Sequence, residues 1–394
     1  MAHPSPILDR HRDARCPLMP YGPGDAGIDL VETYGSLELE YSAIRKSSIL
    51  LDQPHRATVE VSGSDAADFL NNMLTRNVAG LDVGRATRSF WLNRKGRIDA
   101  DLRVVRLADR FVFDVDVFAA GRLVETLGAY VITEDVEIRE TTAELHRLAV
   151  HGPAGAAVLA ELTGSAAPLE EDRVAEATIA GHSVLIDRHD SAGVPGFELT
   201  VSTPGASAMW EAFAAMAPRS VGGEDEGFAA APGGATVRPA GFHAWNIARI
   251  EAGTPVFNLD FGHDSLPGET GVLRDRVDFD KGCYLGQEVV ARMDALGHPK
   301  RLLVGVQFES VPADPEHPEV GPLQPVTGSV LRDAEGGEKG GVSSSTLSPL
   351  LGRAPIALAT VKWGSHEPGT ELFAEASGMS VRGVVREVLR FVEV

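Results

Sequence analysis

The first third of the chain alternates short strand-like runs with a helical segment. Residues 57–61 alternate apolar and polar side chains, the pattern of a half-buried strand, and a Ser-Gly turn follows them. Across residues 64–74, apolar side chains recur at the spacing of one helix face. Residues 87–93, 97–107 and 111–117 are further strand-like runs separated by turn residues. Strands and helices that interleave without a steady strand-helix-strand period predict an α+β fold.

Strand candidates dominate the C-terminal part, from about residue 300 onward. Residues 302–308, 357–361 and 381–394 have strand-like composition, and little helical periodicity lies between them. This pattern predicts a small β-barrel. Residues 333–348 are rich in Gly and Ser, a composition that buries too little apolar surface to offset its ordering entropy. We therefore predict a mobile insertion there.

The length of 394 residues indicates two or three packed units. The first residues hold several prolines and scattered charges, which indicates a loose arm. The predicted regions are a flexible N-terminal arm over residues 1–27, an N-terminal α+β region over 28–150, a middle α+β region over 151–299, and the C-terminal barrel over 300–394.

The composition excludes several classes of protein. A hydrophobic share of 43% with 23% charged residues is typical of a soluble globular chain. The formal charge of −20 would repel a polyphosphate backbone, so we predict no general nucleic-acid binding. No apolar run reaches the ~20 residues that cross a bilayer. The N-terminus lacks the apolar core of a secretory signal. These observations predict a cytoplasmic protein without membrane contact.

The sequence offers little for a metal ion. The two cysteines, Cys16 and Cys283, cannot supply the four thiolates of a zinc or iron–sulfur site. His243, His263 and His298 lack metal-ligand spacing. We therefore predict no metal site within the chain.

Cys283 stands in a setting that suits a reactive sulfur. It follows Lys281 and Gly282 and precedes a predicted helix over residues 287–293. A helix N-terminus and a lysine ammonium both supply positive potential, which stabilises a thiolate. The alternative is that Cys283 is a small buried hydrophobe, the usual role of a lone cysteine. The residues alone leave both interpretations open.

Residues 281–288, KGCYLGQE, reproduce the KGCYxGQE signature of the YgfZ family of folate-binding proteins. The flanking residues 278–280 and 289–292 are also similar to that family. The resemblance implies the three-domain ring of the glycine-cleavage aminomethyltransferase, with a C-terminal β-barrel and a central channel for tetrahydrofolate. It also implies that Cys283 is the catalytic residue, with Lys281 beside it as a second catalytic residue.

Three further segments resemble the same superfamily. Residues 249–255, RIEAGTP, are similar to a segment bordering the folate channel, which assigns Arg249 to that border. Residues 93–102 resemble an element whose aspartate faces the folate, here Asp101, with Asp99 as the alternative. Residues 196–199, GFEL, resemble a strand whose glutamate, here Glu198, accepts the N–H donors of the pterin ring. The resemblance adds three cofactor-binding residues from the cysteine motif: Tyr284, Gln287 and Glu288.

One segment departs from the aminomethyltransferases. They usually carry a YTGEDGFE-like run, whereas residues 191–198 read SAGVPGFE. The resemblance therefore implies a tetrahydrofolate-binding accessory protein that supports the synthesis or repair of iron–sulfur enzymes, with those enzymes or cluster-assembly proteins as partners. Cys283 would act as a nucleophile, redox group or transient ligand. The alternatives are a folate-dependent one-carbon transferase of aminomethyl type, which would use Asp101, and a non-catalytic scaffold for cluster assembly.

Overall fold

The computed structural model describes residues 3–168, 170–217, 219–220, 228–229, 235–314, 316–317 and 321–393. The chain divides into two compact units, each built from separate stretches of sequence. Unit 1 comprises Met1–Met73, Asn77–Ser89 and Asp101–Asn246, and unit 2 comprises Leu74–Arg76, Phe90–Ala100 and Ile247–Val394. This division differs from the predicted boundaries at residues 150 and 299, because composition along the chain does not show where a segment returns to an earlier unit.

Among the described residues, unit 1 contains most of the helices, two main sheets and two small two-stranded sheets. Its helices are α1 (Leu8–Asp13), α2 (Leu37–Lys46), α3 (Ala66–Met73), α4 (Val117–Gly128), α5 (Gly155–Thr163) and α6 (Ala206–Ala214). Its first strands, of which β5 and β6 continue into unit 2, are β1 (Leu18–Tyr21), β2 (Ile28–Val31), β3 (Ile49–Asp52), β4 (Arg56–Ser62), β5 (Arg85–Leu92), β6 (Ile98–Arg106), β7 (Arg110–Asp116) and β8 (Glu137–Glu140). The later strands are β9 (Leu145–His151), β10 (Val174–Ile179), β11 (His182–Arg188), β12 (Gly196–Ser202), β13 (Arg219–Ser220), β14 (Phe228–Ala229) and β15 (Arg238–Pro239).

The strands of unit 1 form two main sheets. The order is β10-β11-β12-β9-β3-β15 in the six-stranded sheet and β5-β6-β7-β4-β8 in the five-stranded sheet. The predicted runs at 57–61, 87–93, 97–107 and 111–117 are confirmed as β4, β5, β6 and β7, and the helix predicted over 64–74 is confirmed as α3. Local patterns located these elements because each contains its own periodicity.

The six-stranded sheet has one apolar and one polar face. Alternation along β9 and β12 sends one set of side chains against α5 and α6, where a buried apolar cluster forms. The sheet residues of that cluster include Leu148, Val150, Ile186, Phe197, Leu199 and Val201. Burying a large aliphatic or aromatic side chain contributes about 1.5–3 kcal/mol, so this face anchors the sheet. The opposite face carries the charged residues described below.

The structure of residues 3–27 does not match the flexible arm predicted over residues 1–27, and residues 1 and 2 lie outside the described part of the chain. Ile7 and Leu8 are buried, and β1 pairs with β2. The His11 ring lies between two partners, with Nε2 2.8 Å from Asp52 Oδ2 and Nδ1 2.6 Å from the Tyr34 hydroxyl. Proline content predicted looseness, but these long-range contacts hold the segment in place.

Unit 2 consists of helical connections followed by a barrel. The helices are α7 (Phe242–Glu251, whose first residues belong to unit 1), α8 (Leu273–Arg276) and α9 (Gln287–Leu296). The strands are β16 (Arg301–Phe308), β17 (Val330–Arg332), β18 (Glu338–Ser348), β19 (Ala354–Lys362), β20 (Glu371–Ala376) and β21 (Met379–Val385). They close into a six-stranded barrel in the order β16-β19-β18-β17-β20-β21, which confirms the predicted C-terminal barrel.

The predicted mobile insertion over residues 333–348 is instead largely a barrel strand. Strand β18 pairs with β17 on one side and β19 on the other. Every second side chain from Val342 to Ser348 is buried. Small residues are needed here because a Cβ at Gly340 would lie 2.1 Å from the Thr360 carbonyl oxygen. The Gly/Ser composition therefore reflects close packing rather than looseness.

In the part of the chain that the structure describes, no helix combines the length and the apolar composition needed to span a membrane.

Two neighbouring glycines of β18 provide a test of this placement. We expect Gly340→Ala to lower the free energy of unfolding by about 1–3 kcal/mol, because its methyl group would collide with backbone. Gly341→Ala is the matched control, since a Cβ there meets its nearest atom, the Ser329 carbonyl oxygen, at 3.6 Å. Urea unfolding of both variants measures the difference. Equal stability of the two variants would contradict the strand assignment.

Candidate functional site

The polar face of the six-stranded sheet is built by strand register. Glu198 of β12 lies directly opposite Asp187 of β11 and Ala149 of β9. Directly opposed residues share a face, as do residues two apart along a strand. Arg147 and His151 of β9 therefore lie on the same face as Glu198. These side chains are buried, so this face is a charged interior surface.

The five-stranded sheet carries charged residues that pair with those of the six-stranded sheet. Asp114 of β7 lies opposite Arg103 of β6 and Thr58 of β4. Arg103 donates to both carboxylate oxygens of Asp187, at 2.6 and 2.7 Å, and so links the two sheets of unit 1. Arg147 donates to the Thr58 hydroxyl at 3.2 Å. We use the term polar layer for the buried or half-buried charged and polar residues of these facing strands: Arg56, Arg103, Asp114, Arg147, His151, Asp187 and Glu198.

Most charges of the polar layer are paired. Arg56 Nε donates to Asp114 at 2.7 Å, and Arg147 lies 3.6 Å from the other oxygen of that carboxylate. Burial alone would raise the pKa of Asp114, but the two guanidinium groups hold it below its ordinary value. A buried charge is tolerated when it is paired and hydrogen-bonded. The arginine-aspartate pairs of the layer meet that condition.

Glu198 is the exception in the layer. Its Oε2 is buried and has no hydrogen-bond partner among the residues described. Burial, reinforced by the negative charge of Asp114, raises the pKa of Glu198 to about 7. A buried carboxylate oxygen without a donor is costly, and a ligand N–H group would remove that cost. The arrangement therefore suits a ligand that offers hydrogen-bond donors.

His151 lies next to Glu198. Its Nε2 is 3.7 Å from Glu198 Oε1, and neither ring nitrogen has a hydrogen-bond partner in the described part of the chain. Burial lowers the pKa of His151 to about 3, so the ring is neutral at physiological pH. Sequence reasoning missed His151 and the arginine pairs. The available signal was the presence of charged and polar residues inside the otherwise apolar runs of β6, β9 and β11.

The two candidate aspartates of β6 are placed differently. Asp101 is half-buried and lies two residues from Arg103, so it shares the face of β6 that carries the polar layer. Asp99 is 3% exposed and accepts a hydrogen bond from Asn93 Nδ2 at 3.2 Å. Asp99 therefore supports the turn between β5 and β6. Asp101 is the better placed of the two for a ligand.

Cys283 lies in unit 2 and is exposed. The alternative interpretation, a small buried hydrophobe, is therefore wrong. The residue precedes α9, whose N-cap is Gly286 with φ of 80°. A Cβ at Gly286 would lie 2.9 Å from the Asn93 carbonyl oxygen, and one at Gly96 would lie 2.7 Å from Val289 Cβ. The glycines of the two motifs thus let the β5–β6 turn pack against the start of α9.

Lys281 has a different setting from the one predicted. Its Nζ donates to the main-chain carbonyls of Leu74 and Arg76, at 2.7 and 3.0 Å, and lies 5.3 Å from the centroid of the Tyr284 ring. Burial lowers the pKa of Lys281 to about 8. The ammonium group thus binds the main chain directly after α3. The position of Lys281 two residues before Cys283 did not predict the direction of the lysine side chain.

The other residues of the motif vary in exposure. Tyr284 is buried, Gln287 is half-buried at the first position of α9, and Glu288 is exposed. Glu288 forms an ion pair with Arg292 at 2.8 Å, one helical turn away. An exposed pair of this kind contributes about 0.3–0.5 kcal/mol. The assignment of Tyr284, Gln287 and Glu288 to cofactor binding stays a prediction.

Arg249 has a structural setting in unit 2. Its side chain is 1% exposed and donates to Asp260 at 2.5 Å and to the Ser344 hydroxyl of β18 at 2.6 Å. It also donates to the Thr254 carbonyl at 3.3 Å. The guanidinium therefore joins α7 to the barrel. These contacts do not support the predicted role at the border of a folate channel, because the group is occupied by buried protein acceptors.

The described residues contain no group of three or more histidine, cysteine, aspartate or glutamate side chains that could hold a metal ion.

Comparisons with known proteins agree with this architecture. The family model described as the GCVT N-terminal domain matches residues 25–281. An aminomethyltransferase of Streptomyces coelicolor is 31% identical over 91% of this chain and 89% of its own length. An aminomethyltransferase of Chlorobium chlorochromatii is 28% identical over 90% of each chain. The crystal structure of glycine cleavage system aminomethyltransferase T from Bartonella henselae superposes with a TM-score of 0.82, at 25% identity, over 100% of this chain and 99% of that one.

The fold is thus that of the glycine-cleavage aminomethyltransferases, an α+β architecture with a C-terminal barrel, as predicted. The chain belongs to the family defined by the GCVT N-terminal domain and shared by the aminomethyltransferases. The predicted superfamily is confirmed. Membership of the YgfZ family stays a prediction that rests on residues 281–288.

The buried carboxylate predicts a pH-dependent cost to stability. Since folding raises the pKa of Glu198 from 4.5 to about 7, the cost is absent below the lower value, grows as the pH rises, and is complete above the higher value. We expect Glu198→Gln to stabilise the unliganded protein at about pH 8 by up to about 3 kcal/mol, and to have little effect at about pH 4.5. Urea unfolding at both pH values measures this.

Glu176→Gln is the matched control for this experiment, because Glu176 is an exposed residue of β10 in the same sheet. We expect its stability to follow the native protein at both pH values. A Glu198→Gln variant with the same pH dependence as the native protein would show that the Glu198 carboxyl titrates normally.

Proposed function

We propose that this protein binds a tetrahydrofolate at Glu198 and takes part in the transfer of a one-carbon unit to or from it. The observation that carries the proposal is the buried Glu198 oxygen without a donor, in a chain of the aminomethyltransferase family. The edge of a pterin ring offers an amide N–H and an amino N–H side by side. A carboxylate accepts two such parallel donors well, so the residues present fit the ligand.

Glu198 would hold and orient the ring, and Asp101 would act closer to the reacting atoms. Tetrahydrofolate supplies the nitrogen atoms that carry the one-carbon unit. A carboxylate on the same layer can stabilise positive charge that develops there, or exchange a proton with a nitrogen, because the surrounding protein is buried and poorly screened. The paired charges of Arg103, Asp187, Arg147 and Asp114 would keep the layer rigid around both groups.

The relatives favour a transferase over the other functions considered. They are named aminomethyltransferases and match about nine-tenths of the chain. Residues 191–198, SAGVPGFE, lack the YTGEDGFE-like run that the resemblance leads us to expect in an aminomethyltransferase. We therefore propose the reaction class, one-carbon transfer with folate, and not the aminomethyl donor of the relatives.

A second candidate function rests on the cysteine motif. The KGCYLGQE sequence resembles the YgfZ family, and the structure places Cys283 at the surface. An exposed thiol can react with or transiently bind a partner, such as an iron–sulfur enzyme or a cluster-assembly protein. In this second proposal the protein is a cytoplasmic, folate-binding accessory factor. A scaffold without chemistry would need neither the thiol nor Glu198.

Calorimetric titration with tetrahydrofolate tests the first proposal. We expect the native protein to bind it, and Glu198→Gln to bind about ten- to a hundredfold more weakly, because the amide replaces charge-assisted hydrogen bonds. Glu176→Gln, on the same sheet but exposed, is expected to bind like the native protein. Absence of binding by the native protein, or equal binding by all three, would contradict the proposal.

Complementation separates the two candidate functions. In cells that lack the native protein, we expect Cys283→Ala to fail to restore the activity of an iron–sulfur-dependent enzyme if the accessory function depends on the Cys283 thiol. Cys16→Ala is the matched control, since Cys16 is half-buried and burial raises its pKa above the ordinary value. Full rescue by Cys283→Ala together with failure of Glu198→Gln would exclude the thiol mechanism and favour the transferase.

A further inference from the structure

His151 is a fully buried residue whose ring lies 3.7 Å from one carboxylate oxygen of Glu198. Neither Nδ1 nor Nε2 is hydrogen-bonded among the residues described. The neutral ring carries one N–H donor and one acceptor nitrogen, and both are shielded from solvent. Buried polar groups without partners are rare in folded proteins and usually indicate a role other than stability. An apolar residue of similar size would satisfy packing alone.

The surrounding backbone makes room for this ring. His151 of β9 lies directly opposite Gly196 of β12. A Cβ at residue 196 would lie 2.1 Å from the His189 carbonyl oxygen and 2.6 Å from His151 Nδ1, so glycine leaves space for both the neighbouring backbone and the imidazole. The ring therefore lies against the start of β12, and its Nε2 reaches 3.7 Å from Glu198 Oε1.

In the described part of the chain, Nε2 of His151 is the nitrogen that pairs with the Glu198 carboxylate, at 3.7 Å from Oε1. No hydrogen bond to the Glu198 side chain is formed there, and its one ion-pair distance is the one to His151. Other charged groups act on Glu198 from a distance. The arginines favour its ionised form and the aspartates disfavour it, from four strands around it: Arg56 (β4), Asp114 (β7), Arg147 (β9) and Asp187 (β11).

We propose that His151 is a positioning residue for Glu198. In the folate-bound protein, its Nε2–H group donates to one carboxylate oxygen, which fixes the orientation of the carboxylate while both oxygens keep a lone pair for the two N–H donors of the pterin. This inference rests on the proposed function. The gap of 3.7 Å is within reach of a small rotation of the carboxylate, after which His151 Nε2 would have a hydrogen-bond partner.

The proposal has a consequence for the pH dependence of binding. Glu198 must be ionised to accept from the pterin, and burial raises its pKa to about 7, so affinity is full above that pH and falls as the pH decreases through it. In the complex, a hydrogen bond donated by His151 stabilises the ionised form of Glu198 and lowers its pKa there. Removal of the donor therefore weakens binding at high pH, where Glu198 is ionised, and leaves binding at low pH unchanged, whereas a purely structural defect would weaken binding equally at every pH.

The test is titration of 5-formyltetrahydrofolate, a stable folate probe, across about pH 5.5 to 9 around the Glu198 midpoint. We expect His151→Leu to bind about tenfold more weakly than the native protein at the high end of this range, and about as tightly at the low end. His151→Gln keeps an N–H donor, so its affinity is expected to lie close to the native one at every pH. His55→Leu is the matched control, because His55 is another buried histidine whose pKa burial lowers to about 3.

Each outcome decides one of the two claims. Failure of the native protein to bind the probe overturns the proposed function, whatever the variants do. Native binding with unchanged affinity in His151→Leu, or with a loss of the same size at every pH, overturns the positioning role alone, as does an equal pH-dependent loss in His55→Leu. Melting temperatures of all variants, measured without ligand, separate loss of folding from loss of binding.

Discussion

A buried charge must be paired with a protein group or be matched by a ligand, and this constraint organises unit 1. Two sheets meet through a layer of arginines and carboxylates that cannot reach water, and most of them satisfy one another. Arg103 takes both oxygens of Asp187, and Arg56 and Arg147 share Asp114. Glu198 lies in the same layer without such a partner. The free-energy cost of burying this carboxylate without a partner is tolerated when a ligand donates hydrogen bonds to it.

The strands supply this layer without weakening the core. The apolar side chains of β9 and β12 pack against helices on one face, and the charged side chains fill the other. Gly196 gives space to His151, and the short side chain of Ala149 stands opposite Glu198. In unit 2, glycines of the cysteine motif serve a different purpose, because they let a turn pack closely while Cys283 stays exposed. The chain thus carries two chemically distinct candidate sites.

Local sequence patterns predicted the elements whose periodicity is contained within one segment, such as α3, β4 to β7 and the barrel. They failed where tertiary contacts decide. The arm at residues 1–27 is held by His11 and Asp52, and the Gly/Ser segment before residue 348 is a barrel strand with close backbone contacts. The family resemblance assigned Glu198 and Asp101 to folate binding, which stays a prediction, and the directions of the Lys281 and Arg249 side chains depend on partners far along the chain. No pattern in a single strand shows that His151 lies beside Glu198.

The proposed function requires that a bound pterin donates hydrogen bonds to Glu198. A crystal structure of the native protein with tetrahydrofolate tests this most directly. We expect the amide and amino edge of the ring within hydrogen-bonding distance of the Glu198 carboxylate, with His151 Nε2 closed onto the same group. Folate bound elsewhere, with the buried oxygen of Glu198 still lacking a donor, would contradict the account.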